Sequence, residues 1–107
     1  MSDPRIIRLE KTIRERAASG ASDSYVASLF AKGRGKIAQK VGEEATETVI
    51  AAVTGNADQL TSEAADLVFH LLVLLAEAGH NFDDVLDKLA QREGLSGLDE
   101  KASRHES

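Results

Sequence analysis

Glu63-Ala64-Ala65-Asp66-Leu67-Val68-Phe69-His70-Leu71-Leu72-Val73-Leu74-Leu75-Ala76-Glu77-Ala78 is the stretch that decides the fold. It shows no strand-like alternation, and from Ala64 to Ala78 apolar residues surround the predicted helix nearly completely. Such a helix must be covered on more than one face. Two arrangements would cover it: a central helix wrapped by the others in a monomer, or a bundle that gives one face to a second copy. A chain of this length buries only roughly two-thirds of its unfolded surface, which favours the second copy.

Working outward, the rest of the chain also reads as helix. Asp3-Pro4 is a helix start, with Asp as N-cap and Pro at the first helical position. Ile6, Leu9, Ile13 and Ala17 follow at helical spacing, and Ser19-Gly20 ends the segment. Ser22 to Ser24 caps a short helix carrying Val26, Leu29 and Phe30, which Gly33-Arg34-Gly35 interrupts. A long helix is expected from Lys36 to Val53, closed by Thr54-Gly55-Asn56, and another from Asp58 to Ala78, closed by Gly79. A further helix begins at Asn81 or Phe82 and ends near Gly94. The expected fold is therefore all-α, a small four- to five-helix bundle over residues 1–95, followed by a polar tail at 96–107.

Composition narrows the functions open to such a bundle. With no cysteine, disulfides, thiolate zinc sites and thiol catalysis are excluded. A formal net charge of -5 speaks against nucleic acid as a partner. The apolar run Leu67 to Ala76 is interrupted by His70 and falls short of the ~20 residues a bilayer requires. Met1-Ser2-Asp3-Pro4 lacks the pattern of a signal peptide, so no membrane is expected and the expected location is cytoplasmic.

Two acidic motifs carry the chemistry: Glu43-Glu44-Ala45-Thr46-Glu47 and Glu63-Ala64-Ala65-Asp66. Relative to Glu43, Glu47 falls roughly 40° away around the helix, Glu44 100°, Lys40 60° and Lys36 20°. The opposite side carries Val41, Ala45, Val49, Ala52 and Val53, which suit the core. Glu63, Asp66 and His70 share a face of the next helix within roughly 60°. One glutamate pair on a helix is usually a solvated face, but Glu63 and Asp66 open a strongly apolar helix, where carboxylates are costly unless paired or metal-bound. Gathered within ~6 Å at an effective dielectric near 20, each carboxylate pair repels by nearly ~3 kcal/mol. A hard divalent cation such as Mg2+ removes that repulsion.

Lys36 and Lys40 lie on the acidic side, placed either to hold phosphate oxygens or to pair with the glutamates. Gly42 marks a close approach or is a tolerated glycine, and Gly33-Arg34-Gly35 is an anion-binding turn or a plain one. His70 reads as a hydrogen-bonded core or interface residue. A di-iron bundle would need Glu-x-x-His, and aspartate stands where that histidine should be. His80 and His105 have no metal-ligand spacing.

Lys36-Ile37-Ala38-Gln39-Lys40-Val41-Gly42-Glu43-Glu44-Ala45-Thr46-Glu47, Glu63-Ala64-Ala65-Asp66-Leu67 and Phe69-His70-Leu71-Leu72-Val73-Leu74 resemble the phosphoribosyl-ATP pyrophosphatase family of MazG-like all-helical nucleotide pyrophosphatases. Glu100-Lys101-Ala102-Ser103-Arg104 is similar to that family's C-terminal segment. The resemblance implies hydrolysis of phosphoribosyl-ATP to phosphoribosyl-AMP and pyrophosphate, the second step of histidine biosynthesis, with Mg2+ as cofactor. It implies Glu44, Glu47, Glu63 and Asp66 as metal ligands, with Glu43, Glu44 and Glu47 as the catalytic carboxylates. Lys36, Lys40, Lys101 and Arg104 become candidates for substrate phosphate, and a homodimer completes the site. The lack of cysteine points to the form not fused to a zinc-binding cyclohydrolase. Two rival functions share these motifs: a general house-cleaning nucleoside triphosphate pyrophosphatase, and a non-catalytic helical dimer with a structural cation.

Overall fold

The computed structural model describes residues 3–20 and 23–93. They form five helices: α1 (Pro4–Ser19), α2 (Tyr25–Lys32), α3 (Arg34–Thr54), α4 (Ala57–Glu77) and α5 (Phe82–Arg92). The expected all-α bundle is what is found, with no strand among the described residues. The expected 96–107 tail lies outside them.

Local chemistry sets the helix ends. Asp3 accepts from the Arg5 N–H to cap α1, Ser24 from Ala27 to cap α2, and Asn56 from Gln59 to cap α4. Asn81 and Asp84 form a reciprocal capping box at α5. Of the Gly33-Arg34-Gly35 turn, only Gly33 is a break. Its φ of 95° lets one residue end α2 and start α3, so Arg34 and Gly35 are already helical. Gly55, at φ 77°, turns the chain so that α3 and α4 fold back on each other as a hairpin.

The core joins four helices: Ile13 of α1, Val26 and Leu29 of α2, Ile37 of α3, and Leu72 and Val73 of α4. The α5 helix is tied on by its N-terminus, where the Phe82 N–H donates to the buried Glu10 carboxylate at 2.7 Å. The α4 helix is also the one described helix long and apolar enough, by length and composition, to cross a membrane. It instead lies along α3 and contributes Leu72 and Val73 to the core.

The core face of α3 differs from the expected one. Val49 and Val53 are 61% and 79% exposed and Ala52 is exposed, whereas Ile37 and Ala51 are fully buried. The covered seam runs through Ile37, Val41, Glu44, Thr48 and Ala51, an alternating four-and-three spacing that keeps one stripe against a neighbouring helix. The acids were expected opposite the core. Glu44 instead sits within the seam, because α3 packs its length against α4 and that helix brings acids of its own to the contact.

Candidate metal centre

Glu44 is half-buried on α3, and Glu63 is half-buried near the start of α4. Asp66 lies one turn further along α4 and is exposed. The hairpin brings one oxygen from each of these three carboxylates within 4.8 Å of one another. That spacing is about twice a metal–oxygen bond of ~2.1–2.6 Å. Glu47, one turn beyond Glu44, is the neighbour that acts most strongly on the Glu63 carboxyl. The two acidic motifs, separate in sequence, thus converge as expected. Glu43 points elsewhere: it accepts from Gln39 at 3.3 Å and pairs with Lys40 at 3.5 Å.

The electrostatics follow from these placements. The Glu63 carboxyl is pushed up to about 7, first by Glu47, then by desolvation and by the charges of Glu47, Glu44 and Asp66. Glu43 is shifted the other way, held below the usual glutamate range by the Gln39 amide and then by the Lys40 ammonium. The Glu63 carboxyl on α4 is crowded by like charge, while Glu43 on α3 is offset by Lys40.

Glu44 Oε2 and Glu63 Oε2 are closed off from solvent and have no hydrogen-bond partner. Buried carboxylate oxygens in this state are strongly unfavourable. The donor set is all oxygen and acceptor-only, and it repels itself, so it fits a hard divalent cation.

Other expected site residues are placed differently. Lys40 is half-buried beside Glu43, and Lys36 is exposed one turn before it. Lys101 and Arg104 lie outside the described residues. A Cβ at Gly42 would meet nothing within 4 Å, so no close approach inside the protomer explains that glycine. His70 is buried and hydrogen-bonded, as expected; its partner, the Tyr25 hydroxyl at 2.7 Å, was missed. No helical periodicity relates residues 45 apart, so nothing in the sequence signalled that pair. Glu10 was missed too, although its place between Ile6 and Ile13 on the apolar stripe of α1 was a usable signal.

A helical bundle with a carboxylate pocket between its two longest helices defines a class of all-α proteins suited to cation-dependent phosphate chemistry. Relatives of known name narrow the class. A family described as phosphoribosyl-ATP pyrophosphohydrolase matches residues 6–93. The phosphoribosyl-ATP pyrophosphatase of Rhizorhabdus wittichii is 65% identical over 97 residues, covering 91% of this chain and 92% of that protein. The protein of the same name from Erythrobacter litoralis is 62% identical over 97 residues, 91% of this chain and 93% of that one. The one from Zymomonas mobilis is 53% identical over 107 residues, the full length of both. The chain belongs to the phosphoribosyl-ATP pyrophosphohydrolase family, and it is a hydrolase.

Proposed function

We propose that the chain hydrolyses phosphoribosyl-ATP to phosphoribosyl-AMP and pyrophosphate, the second step of histidine biosynthesis, by Mg2+-assisted attack of water at the α-phosphorus. The observation that carries this reading is the pair of buried, unpartnered oxygens on Glu44 and Glu63, beside Asp66, in a member of this family. Relatives at 53–65% identity bear the corresponding enzyme name.

Glu44, Glu47, Glu63 and Asp66 are the residues that would hold the cation. Mg2+ bound there supplies positive charge to phosphate oxygens and acidifies a bound water. The protein's own part is to fix those carboxylates on two helices, so that their repulsion is already present before a ligand arrives. A carboxylate of the Glu43–Glu47 segment orients or deprotonates the attacking water. Glu43, kept ionised by Gln39 and Lys40, is suited to accept a hydrogen bond from it. Lys36 and Lys40 offer ammonium groups to phosphate oxygens on the same side of α3, and Lys101 and Arg104 are further candidates from the 96–107 tail.

The working form is a cytoplasmic homodimer. Val49, Ile50 and Val53 on α3 and Val68 on α4 are exposed apolar side chains that a second copy would cover. The deciding experiment is pyrophosphate release from phosphoribosyl-ATP with and without Mg2+, with ATP and dUTP as parallel substrates. Mg2+-dependent release from phosphoribosyl-ATP alone is expected. Release mainly from ATP or dUTP would replace this reading with that of a general nucleotide pyrophosphatase, and silence on all three would leave a non-catalytic bundle.

A further inference from the structure

The buried imidazole of His70 stands one turn beyond Asp66 on α4, and both of its nitrogens are engaged. Nε2 lies 2.7 Å from the Tyr25 hydroxyl, and Nδ1 lies 2.9 Å from the backbone carbonyl oxygen of Asp66. A carbonyl can only accept, so Nδ1 carries the proton. In the neutral ring Nε2 is then the acceptor, and the Tyr25 hydroxyl donates to it. A directed chain of hydrogen bonds thus runs from Tyr25 on α2 through the imidazole to the Asp66 carbonyl on α4.

Both ends of that chain are anchored. Buried Ser24 caps α2 by accepting from the Ala27 N–H at 3.1 Å, and Ser28 Oγ donates to the Tyr25 carbonyl at 2.7 Å. These bonds fix where α2 begins, and so where Tyr25 stands. The rings hold one another as well. His70 is set edge-on to Tyr25 at 5.7 Å and to Phe69 at 5.3 Å, and Tyr25 stacks on Phe69 at 6.4 Å. At the other end, a carbonyl inside an α-helix already receives the N–H four residues on. The His70 ring brings a second donor to that oxygen, so backbone and side chain together pin the Asp66–His70 turn.

The pinned turn carries one of the proposed cation ligands. Glu44, Glu63 and Asp66 bring oxygens within 4.8 Å of one another, and of the three only Asp66 is exposed. Packing between α3 and α4 confines the two glutamates. Asp66 lacks that confinement, and with only two side-chain torsions its carboxylate goes where its backbone puts it. Ligands held in place by outer partners lose less freedom when a metal binds. The geometry points to Tyr25 and His70 as positioning residues of the cation site: the imidazole, held by the Tyr25 hydroxyl, fixes the α4 turn from which Asp66 reaches the ion. This assignment rests on the cation role proposed above.

The test is a calorimetric titration of Mg2+ into the full chain and its variants. Tyr25→Phe keeps the ring and removes only the hydroxyl, and the Kd for Mg2+ should rise about 5-fold, the size of one lost hydrogen bond. His70→Asn sets an amide nitrogen near the place of Nδ1 and should bind Mg2+ at least as well as Tyr25→Phe. His70→Leu loses both bonds and should bind more weakly than either. Asp66→Asn should weaken binding on its own account, and adding Tyr25→Phe to it should change nothing further. The 15N shifts of His70 should report an Nδ1–H tautomer whose Nε2 signal moves in Tyr25→Phe. Wild-type affinity in Tyr25→Phe and His70→Leu, with only the melting temperature lowered, would make the pair a strut and overturn the assignment. Additive effects with Asp66→Asn, or an Nε2–H tautomer, would overturn it too while leaving the cation site standing. A wild type that takes up no Mg2+ would overturn both this assignment and the cation role beneath it.

Discussion

Glu10 on α1 and Glu63 on α4 are carboxylates that the fold draws away from water, and their surroundings differ in kind. Glu10 Oε2 accepts the Phe82 N–H at 2.7 Å, at the N-terminus of α5, where the helix dipole also favours negative charge. Glu63 Oε2 has no partner, and its nearest charged neighbours are other carboxylates. The first site is complete within the protomer and serves to dock a helix. The second is incomplete, and it gathers like charge that a bound cation relieves. A buried carboxylate with its donor in place belongs to the fold; one without a donor, facing others of its kind, is left for a ligand.

The comparison can be broken most forcefully at the open site. Glu44→Gln keeps the size of the side chain and removes one anionic ligand. Because a metal ion's charge is worth several kcal/mol to the transition state, pyrophosphate release should fall on the order of 1,000-fold. The melting temperature should hold or rise, since repulsion is relieved. Full turnover at saturating Mg2+ would remove Glu44 from the site. Two turns earlier on the same seam, Ile37→Ala should do the reverse. It should cost about 2–5 kcal/mol of stability, read from the urea midpoint, because it hollows a fully buried position.

Glu10→Ala sharpens the contrast. It strands the Phe82 N–H and should cost about 1–3 kcal/mol in urea unfolding, with kcat unchanged. A loss of turnover without a loss of stability there would erase the distinction between the two sites. The smallest effect belongs to a third carboxylate, exposed Asp3, held at about 2 by its side-chain and backbone hydrogen bonds to Arg5. Because its folded pKa lies below the ordinary 3.8, its contribution is fully present above 3.8 and disappears as the pH falls through about 2. Acid titration of the melting temperature should show a shallow decline over that window, absent in Asp3→Asn.

These sites were unequally legible in the sequence. Helix ends were readable because caps are local: Asp3-Pro4, Ser24, Gly55 and Asn81 act on residues within a turn of themselves. The acidic motifs were readable as a pair because carboxylates opening an apolar helix are costly wherever that helix packs. The seam of α3 was not. Glu44 and Val49 could not be sorted into covered and exposed until α4 supplied a surface, since a polar residue lies in a seam only when its partner helix brings matching groups. Tyr25–His70 and Glu10–Phe82 were hidden for the same reason, being contacts across 45 and 72 residues that no periodicity encodes.

The most direct measurement is a Mg2+ titration of the melting temperature on the wild type, Glu63→Gln and Glu10→Gln. Saturable stabilisation of the wild type, lost in Glu63→Gln and kept in Glu10→Gln, is the predicted result. The same stabilisation in all three proteins would mean that the cation binds elsewhere and that the unpartnered oxygens between α3 and α4 are not its ligands.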